Sequence, residues 1–160
     1  KMSFLDQEIS IEKLNNFLNE AHKNSYASAS AVKTNSLRPR SEDYHFVEDN
    51  LTYHDTYFGS GKFIGEEIVY MNNKPVWGMN YYGGIVKVNV QVEDIYKFLK
   101  SALLQQTNTF SARGPKEYRN GFFEYQNKTE GSLINFSGKE TILVNQKILY
   151  QGLYHGGLIK

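Results

Sequence analysis

Apolar residues along this chain follow two rhythms, and the rhythms recur in the same order. Leu14, Phe17, Leu18 and Ala21 stand at i, i+3, i+4 and i+7, the spacing of one helical stripe. Ser10 offers an N-cap and Glu12 an acid in the first turn, so a helix is predicted from Ile11 to Lys23. Ile95, Phe98, Leu99 and Ala102 repeat that spacing and predict a second helix from Val92 to Gln105. Elsewhere the period drops to two, as in strands. Strands are predicted at Tyr44 to Val47, Leu51 to Tyr53, Phe63 to Met71 and Lys74 to Tyr82. A second set follows at Phe122 to Asn127, Leu133 to Val144 and Lys147 to His155. Asn72-Asn73 is a two-residue hairpin turn, because asparagine tolerates positive φ. Residues 24–43, rich in Ser, Ala and Asn, read as loop, with one short extended piece near Tyr26.

The two sets align without a gap. Phe63 to Gly84 and Phe136 to Gly157 share eight of 22 positions at an offset of 73: Phe63/Phe136, Gly65/Gly138, Glu67/Glu140, Asn72/Asn145, Lys74/Lys147, Tyr81/Tyr154, Gly83/Gly156 and Gly84/Gly157. The helices align at an offset of 81, through Glu12/Glu93, Phe17/Phe98, Leu18/Leu99 and Ala21/Ala102. The expectation is a single domain over residues 2–160 with pseudo-repeats at about 11–84 and 92–157. One helix on one small sheet buries too little apolar surface to stand alone. Two such halves can join their strands into one curved, largely antiparallel sheet and lay both helices on it, an internally duplicated α+β fold.

Alternation sorts the strand residues by face. Tyr81 and Tyr154 are read as shared core rings, while Tyr82 and His155 occupy matched positions on the opposite face and differ. The glycine pairs that follow suit places where backbones approach closely. Glu67 and Glu140 sit among apolar neighbours in both halves, and a buried carboxylate needs a partner. A ligand cleft between the halves is therefore expected, lined by Trp77, Tyr82, His155, Asn80, Glu67 and Glu140, with the acids receiving a cationic or hydroxylated molecule. Alternatives are a small hydrolase or isomerase using Glu67 or Glu140 with His155, and a protein-interaction module. Arg113, Lys116 and Arg119 form the densest basic cluster and a candidate anion site, with Arg38 and Arg40 in the matching loop. The histidines lack metal-ligand spacing, so no metal and no cofactor is expected. Gly59-Ser60-Gly61-Lys62 leads into a strand and is not a phosphate loop.

Composition narrows the classes. A formal net charge of +1 gives no bulk pull toward nucleic acid or anionic membrane. No apolar run has the length of a membrane span, Cys is absent, and Met2 reads as the natural start after a remnant Lys1. A cytoplasmic protein with a small-molecule partner is the expectation, without direct nucleic-acid or membrane contact, and a homo-oligomer is compatible. The 12 Tyr, 10 Phe and one Trp suit pleated, half-buried surfaces.

The motifs Tyr53-His54-Asp55-Thr56-Tyr57-Phe58-Gly59, Phe63-Ile64-Gly65-Glu66-Glu67, Pro75-Val76-Trp77-Gly78-Met79-Asn80-Tyr81-Tyr82-Gly83, Arg113-Gly114-Pro115 and Tyr154-His155-Gly156-Gly157 resemble those of a bacterial family. That family is catalogued as a domain of unknown function. The likeness runs from Leu14 onward. Its members resemble free-standing domains or sit behind a helix-turn-helix segment; with one helix before the strands, the free-standing form is the expectation here. The resemblance implies a ligand-sensing module and no catalytic residue. The paired helix-plus-sheet plan is also similar in architecture to the duplicated effector-binding domains of bacterial multidrug regulators.

Overall fold

The structure is a computed structural model and describes residues 8–25, 33–87, 89–108 and 110–160. The extended piece expected near Tyr26 lies outside them. In chain order the elements are α1 (Ile11–Lys23), β1 (Glu42–Glu48), β2 (Leu51–Gly59), β3 (Lys62–Met71), β4 (Lys74–Ile85), α2 (Val92–Leu103), β5 (Glu117–Asn120), β6 (Phe123–Ser132), β7 (Asn135–Val144) and β8 (Lys147–Leu158). All eight strands form one antiparallel sheet, ordered β1-β2-β3-β4-β8-β7-β6-β5. The fold is α+β, as expected.

Local sequence explains the boundaries. The Ser10 hydroxyl accepts the Lys13 amide N–H at 3.2 Å and opens α1. α2 stops at Leu103, two residues short of the expected end, where Leu104 caps it through its backbone. Asn72 and Asn73 take φ of 50° and 64°, and Asn145 and Gln146 take 47° and 63°, so both hairpins turn through paired left-handed residues. The chain around Arg113-Gly114-Pro115 leads into β5 at Glu117. That strand escaped prediction because its four residues, Glu-Tyr-Arg-Asn, carry one apolar ring. A short charged strand suits an open sheet edge, where it discourages pairing with other chains.

The seam between β4 and β8 is symmetric in register. Tyr81 lies opposite Tyr154, its own counterpart, and the outer pairs Trp77↔Leu158 and Ile85↔Tyr150 exchange under the same 73-residue offset. Each central tyrosine lays its ring over a glycine on the neighbouring strand, Tyr81 over Gly65 and Tyr154 over Gly138. A Cβ at either glycine would overlap the ring, so these positions are empty because the tyrosines fill them.

Both helices cover one face. Leu14, Phe17, Leu18 and Ala21 of α1 bury against a cluster that includes Tyr53, Val69, Trp77 and Met79. Ile95, Phe98, Leu99 and Ala102 of α2 bury with Tyr125, Ile142 and Tyr150. The halves interlock through matched stacks: Phe136 on Trp77 (5.8 Å, 21°) and Phe63 on Tyr150 (6.2 Å, 20°). No described helix covers the other face, where Ile64, Tyr82 and Leu153 are each more than half exposed. No described helix is long and apolar enough to cross a membrane.

Candidate functional site

Ladder register places an acid pair on the helix-covered face. In the first half Asp55 on β2 lies directly opposite Glu67 on β3. In the second half the corresponding pair is Asn127 on β6 and Glu140 on β7. All four side chains are buried. The two halves then satisfy them differently.

In the second half everything is paired. Arg113 donates to both Glu140 carboxylate oxygens, Nε to Oε2 at 3.1 Å and Nη2 to Oε1. The Tyr125 hydroxyl donates to Oε2 at 2.7 Å and the Tyr150 hydroxyl to Oε1 at 2.8 Å. The Asn127 amide donates to the Gly114 carbonyl at 2.9 Å and accepts the Tyr154 hydroxyl at 2.5 Å. A bidentate guanidinium and two hydroxyls satisfy both oxygens of this buried carboxylate.

In the first half the same frame carries more negative charge and fewer donors. Asp55 stands where the second half has neutral Asn127, and its Oδ1 accepts the Tyr81 hydroxyl at 2.6 Å. Trp77 stands where the second half has Tyr150, and its indole N–H goes to the Leu133 carbonyl at 3.0 Å instead. His22, from the last turn of α1, reaches Glu67 Oε2 with Nε2 at 3.3 Å. The hydroxyl of Tyr53, counterpart of Tyr125, is wholly buried beside Glu67 and Ser25. Burial, then the charge of Glu67, holds the Asp55 carboxyl well above the usual range, with the Tyr81 hydrogen bond and Arg113 opposing. Burial followed by the same carboxylates raises the Tyr53 and Tyr81 phenols.

Beside this acid pair lies a cavity of about 180 Å³. Asp55, Tyr57 and Glu67 line it from the sheet, and Tyr96 and Lys100 from α2. Arg113 closes one side, already committed to Glu140, with its guanidinium 5.5 Å from the Tyr81 ring centroid. The cavity wall thus combines two carboxylates with the cationic side chains of Lys100 and Arg113.

The six expected cleft residues do not share one pocket. Glu67 faces this cavity. Glu140 is enclosed by Arg113 and its two tyrosines. Trp77 is fully buried in the core, because its indole is the ring on which Phe136 stacks. Asn80, Tyr82 and His155 point to the opposite face and line a shallow groove of about 980 Å³ across the seam. The alternation of side chains along β4 and β8 therefore separates His155 from both glutamates, and the Glu–His pairing expected of a hydrolase or isomerase does not form. The basic cluster also divides. Arg113 is buried against Glu140, Lys116 lines a separate surface hollow, and exposed Arg119 pairs with Glu124 at 3.1 Å. Among the described residues no three His, Asp or Glu side chains gather as metal ligands.

Sequence reasoning missed Asp55 and His22. Aligning the two motifs two residues before Tyr57 and Thr129 would have exposed the Asp55/Asn127 difference. His22 continues the Leu14, Leu18 row by one more turn, a signal that its polarity concealed. Asp43 was also missed. It accepts the Ser41 hydroxyl, the Leu37 N–H at 3.2 Å and His54 Nε2 at 2.9 Å. Burial works against its charge, but these bonds prevail and bring it down to about 2.

A family model described as "Domain of unknown function (DUF5680)" matches residues 55–159. The span begins at Asp55 and holds every residue of the acid-lined cavity. No curated protein and no solved structure matches the chain.

Proposed function

The chain belongs to the DUF5680 family, a membership that assigns no chemistry, and from the geometry we propose a small-molecule-binding domain whose site is the cavity at Asp55 and Glu67. The ligand it suits carries a compact cationic group, an ammonium or guanidinium. One observation carries this reading. The second half holds its buried glutamate with an internal arginine, whereas the first half sets two buried carboxylates opposite each other and keeps a cavity beside them, with Lys100 of α2 also on its wall. A ligand cation there would do for Glu67 and Asp55 what Arg113 does for Glu140. It would also oppose the burial and the Glu67 charge that raise the Asp55 carboxyl. The proposal takes the two halves as descendants of one unit, with the symmetric seam register as support, and takes the domain to act as a sensor in the bacterial cytoplasm.

Thermal unfolding at pH 8 with methylammonium, guanidinium and methylguanidinium at millimolar concentration, against urea as neutral control, tests it. A ligand at ten times its Kd stabilises by about 1.4 kcal/mol, which raises the Tm of a chain this size by roughly 3–6 °C. Glu67→Gln abolishes that rise. Equal shifts from cations and urea, or an undiminished shift in Glu67→Gln, would overturn the proposal.

A further inference from the structure

The uncovered face carries a second construction, independent of the acid cavity. Following the ladders from β2 to β6, one row of directly paired side chains reads Phe58, Ile64, Tyr82, Leu153, Lys139, Lys128. Four apolar neighbours are followed by two lysines. The seam symmetry gives each a counterpart in the adjoining row, and those counterparts are Glu130, Ser137, His155, Asn80, Glu66 and Thr56 in the same order. One row is apolar and then cationic, and its mirror is polar and acidic. All twelve line the groove of about 980 Å³, together with Arg38, whose guanidinium sits 5.1 Å over the Phe58 ring.

Two features of the first row point to an occupant. Ile64, Tyr82 and Leu153 are 56%, 53% and 51% exposed and adjacent on three consecutive strands, forming a continuous apolar strip. Lys128 and Lys139 face each other directly across β6 and β7, and like charges so placed destabilise a sheet. Among the described residues neither lysine makes an ion pair or hydrogen bond. An anionic group seated between them turns that repulsion into two charge-assisted contacts. From Ile64 to Lys139 is three strand spacings, about 14 Å, so one molecule can cover the strip and reach the lysines. Glu66 and Glu130 lie in the adjoining row, which leaves the first row alone suited to an anion.

We propose that this groove binds a free amphipathic anion, an apolar chain or ring system ending in a carboxylate or sulfonate, lying across the strands with its head between Lys128 and Lys139. The test titrates the protein with 8-anilinonaphthalene-1-sulfonate at low salt and displaces the dye with decanoate. Saturable binding, displaced by decanoate and weakened at least five-fold in Lys128→Gln/Lys139→Gln and in Leu153→Asp, is the expected result. These side chains are exposed, so the variants keep their Tm. Asp55→Asn leaves dye binding unchanged, which separates this site from the acid cavity. Affinity indifferent to both sets of substitutions would overturn the proposal. So would lysine-dependent sedimentation with anionic vesicles without displacement by decanoate, or dimerisation of the free protein that Leu153→Asp abolishes.

Discussion

Replacing Asp55 with Asn makes the first half chemically equal to the second at this position, so Asn127 serves as the built-in control. An amide at 55 keeps an acceptor for the Tyr81 hydroxyl, now 2.6 Å from Oδ1, and removes a carboxyl that burial and Glu67 both penalise when it is charged. The sign follows from proton linkage. Asp55 has a folded pKa above its unfolded value, so between the two values the folded state binds more protons and stability falls as pH rises. The slope is about 1.4 kcal/mol per pH unit, starting near pH 4 and levelling once pH exceeds the folded pKa. Asp55→Asn has no such slope. Its stability relative to the parent is smallest below pH 4 and grows by about 1.4 kcal/mol, or roughly 3–6 °C in Tm, for each unit climbed through the window. Urea unfolding from pH 4 to pH 9 reads both proteins directly. A stability difference that stays flat with pH, or a variant that weakens as pH rises, would refute the account of Asp55 as a strained buried acid. The same variant loses at least ten-fold in affinity for the guanidinium-class probes, because one of the two carboxylates proposed to hold the cation has gone.

Arg113→Met leaves Glu140 buried without its cation and costs about 3–5 kcal/mol in chemical unfolding, and adding Glu140→Gln returns much of that loss. Asp43, brought down to about 2, contributes about 2 kcal/mol that is present above its unfolded pKa near 3.8 and is lost as pH falls through its folded value. Asp43→Asn should therefore destabilise at pH 7 and converge with the parent below pH 2. Gly138→Ala drives a methyl into the Tyr154 ring, while Gly61→Ala meets open space. The first lowers Tm by several degrees and the second leaves it nearly unchanged.

Much of the frame was legible because its signals are local and periodic. Helix stripes, asparagine turns and strand alternation each depend on neighbours within one element, and the structure repeats them nearly residue for residue. The repeat also indicated which strand positions correspond. Less legible was which face each corresponding residue shares with a distant element. Trp77 reads as a cleft aromatic until the stack with Phe136 and the bond to Leu133 are seen, and neither partner is near it in sequence. Arg113 reads as part of an anion-binding cluster, yet it turns inward to Glu140. β5 escaped notice because an edge strand needs pairing on one side only and little apolar surface. His22 and Asp55 meet through Glu67, a tertiary contact that no single-strand pattern contains.

The seam has one more implication. Since Tyr81 faces its own counterpart, a β4 laid antiparallel against a second β4 would find the same pairing that β8 now provides. An isolated first half would thus recognise its twin, and a two-chain assembly could close by a true dyad. Such an assembly would hold Asp55 and Glu67 twice over, with no Arg113 anywhere in it. Because the joined halves differ in sequence, one arginine bonds the glutamate of the second half, while Glu67 meets His22 and Asp55 meets Tyr81.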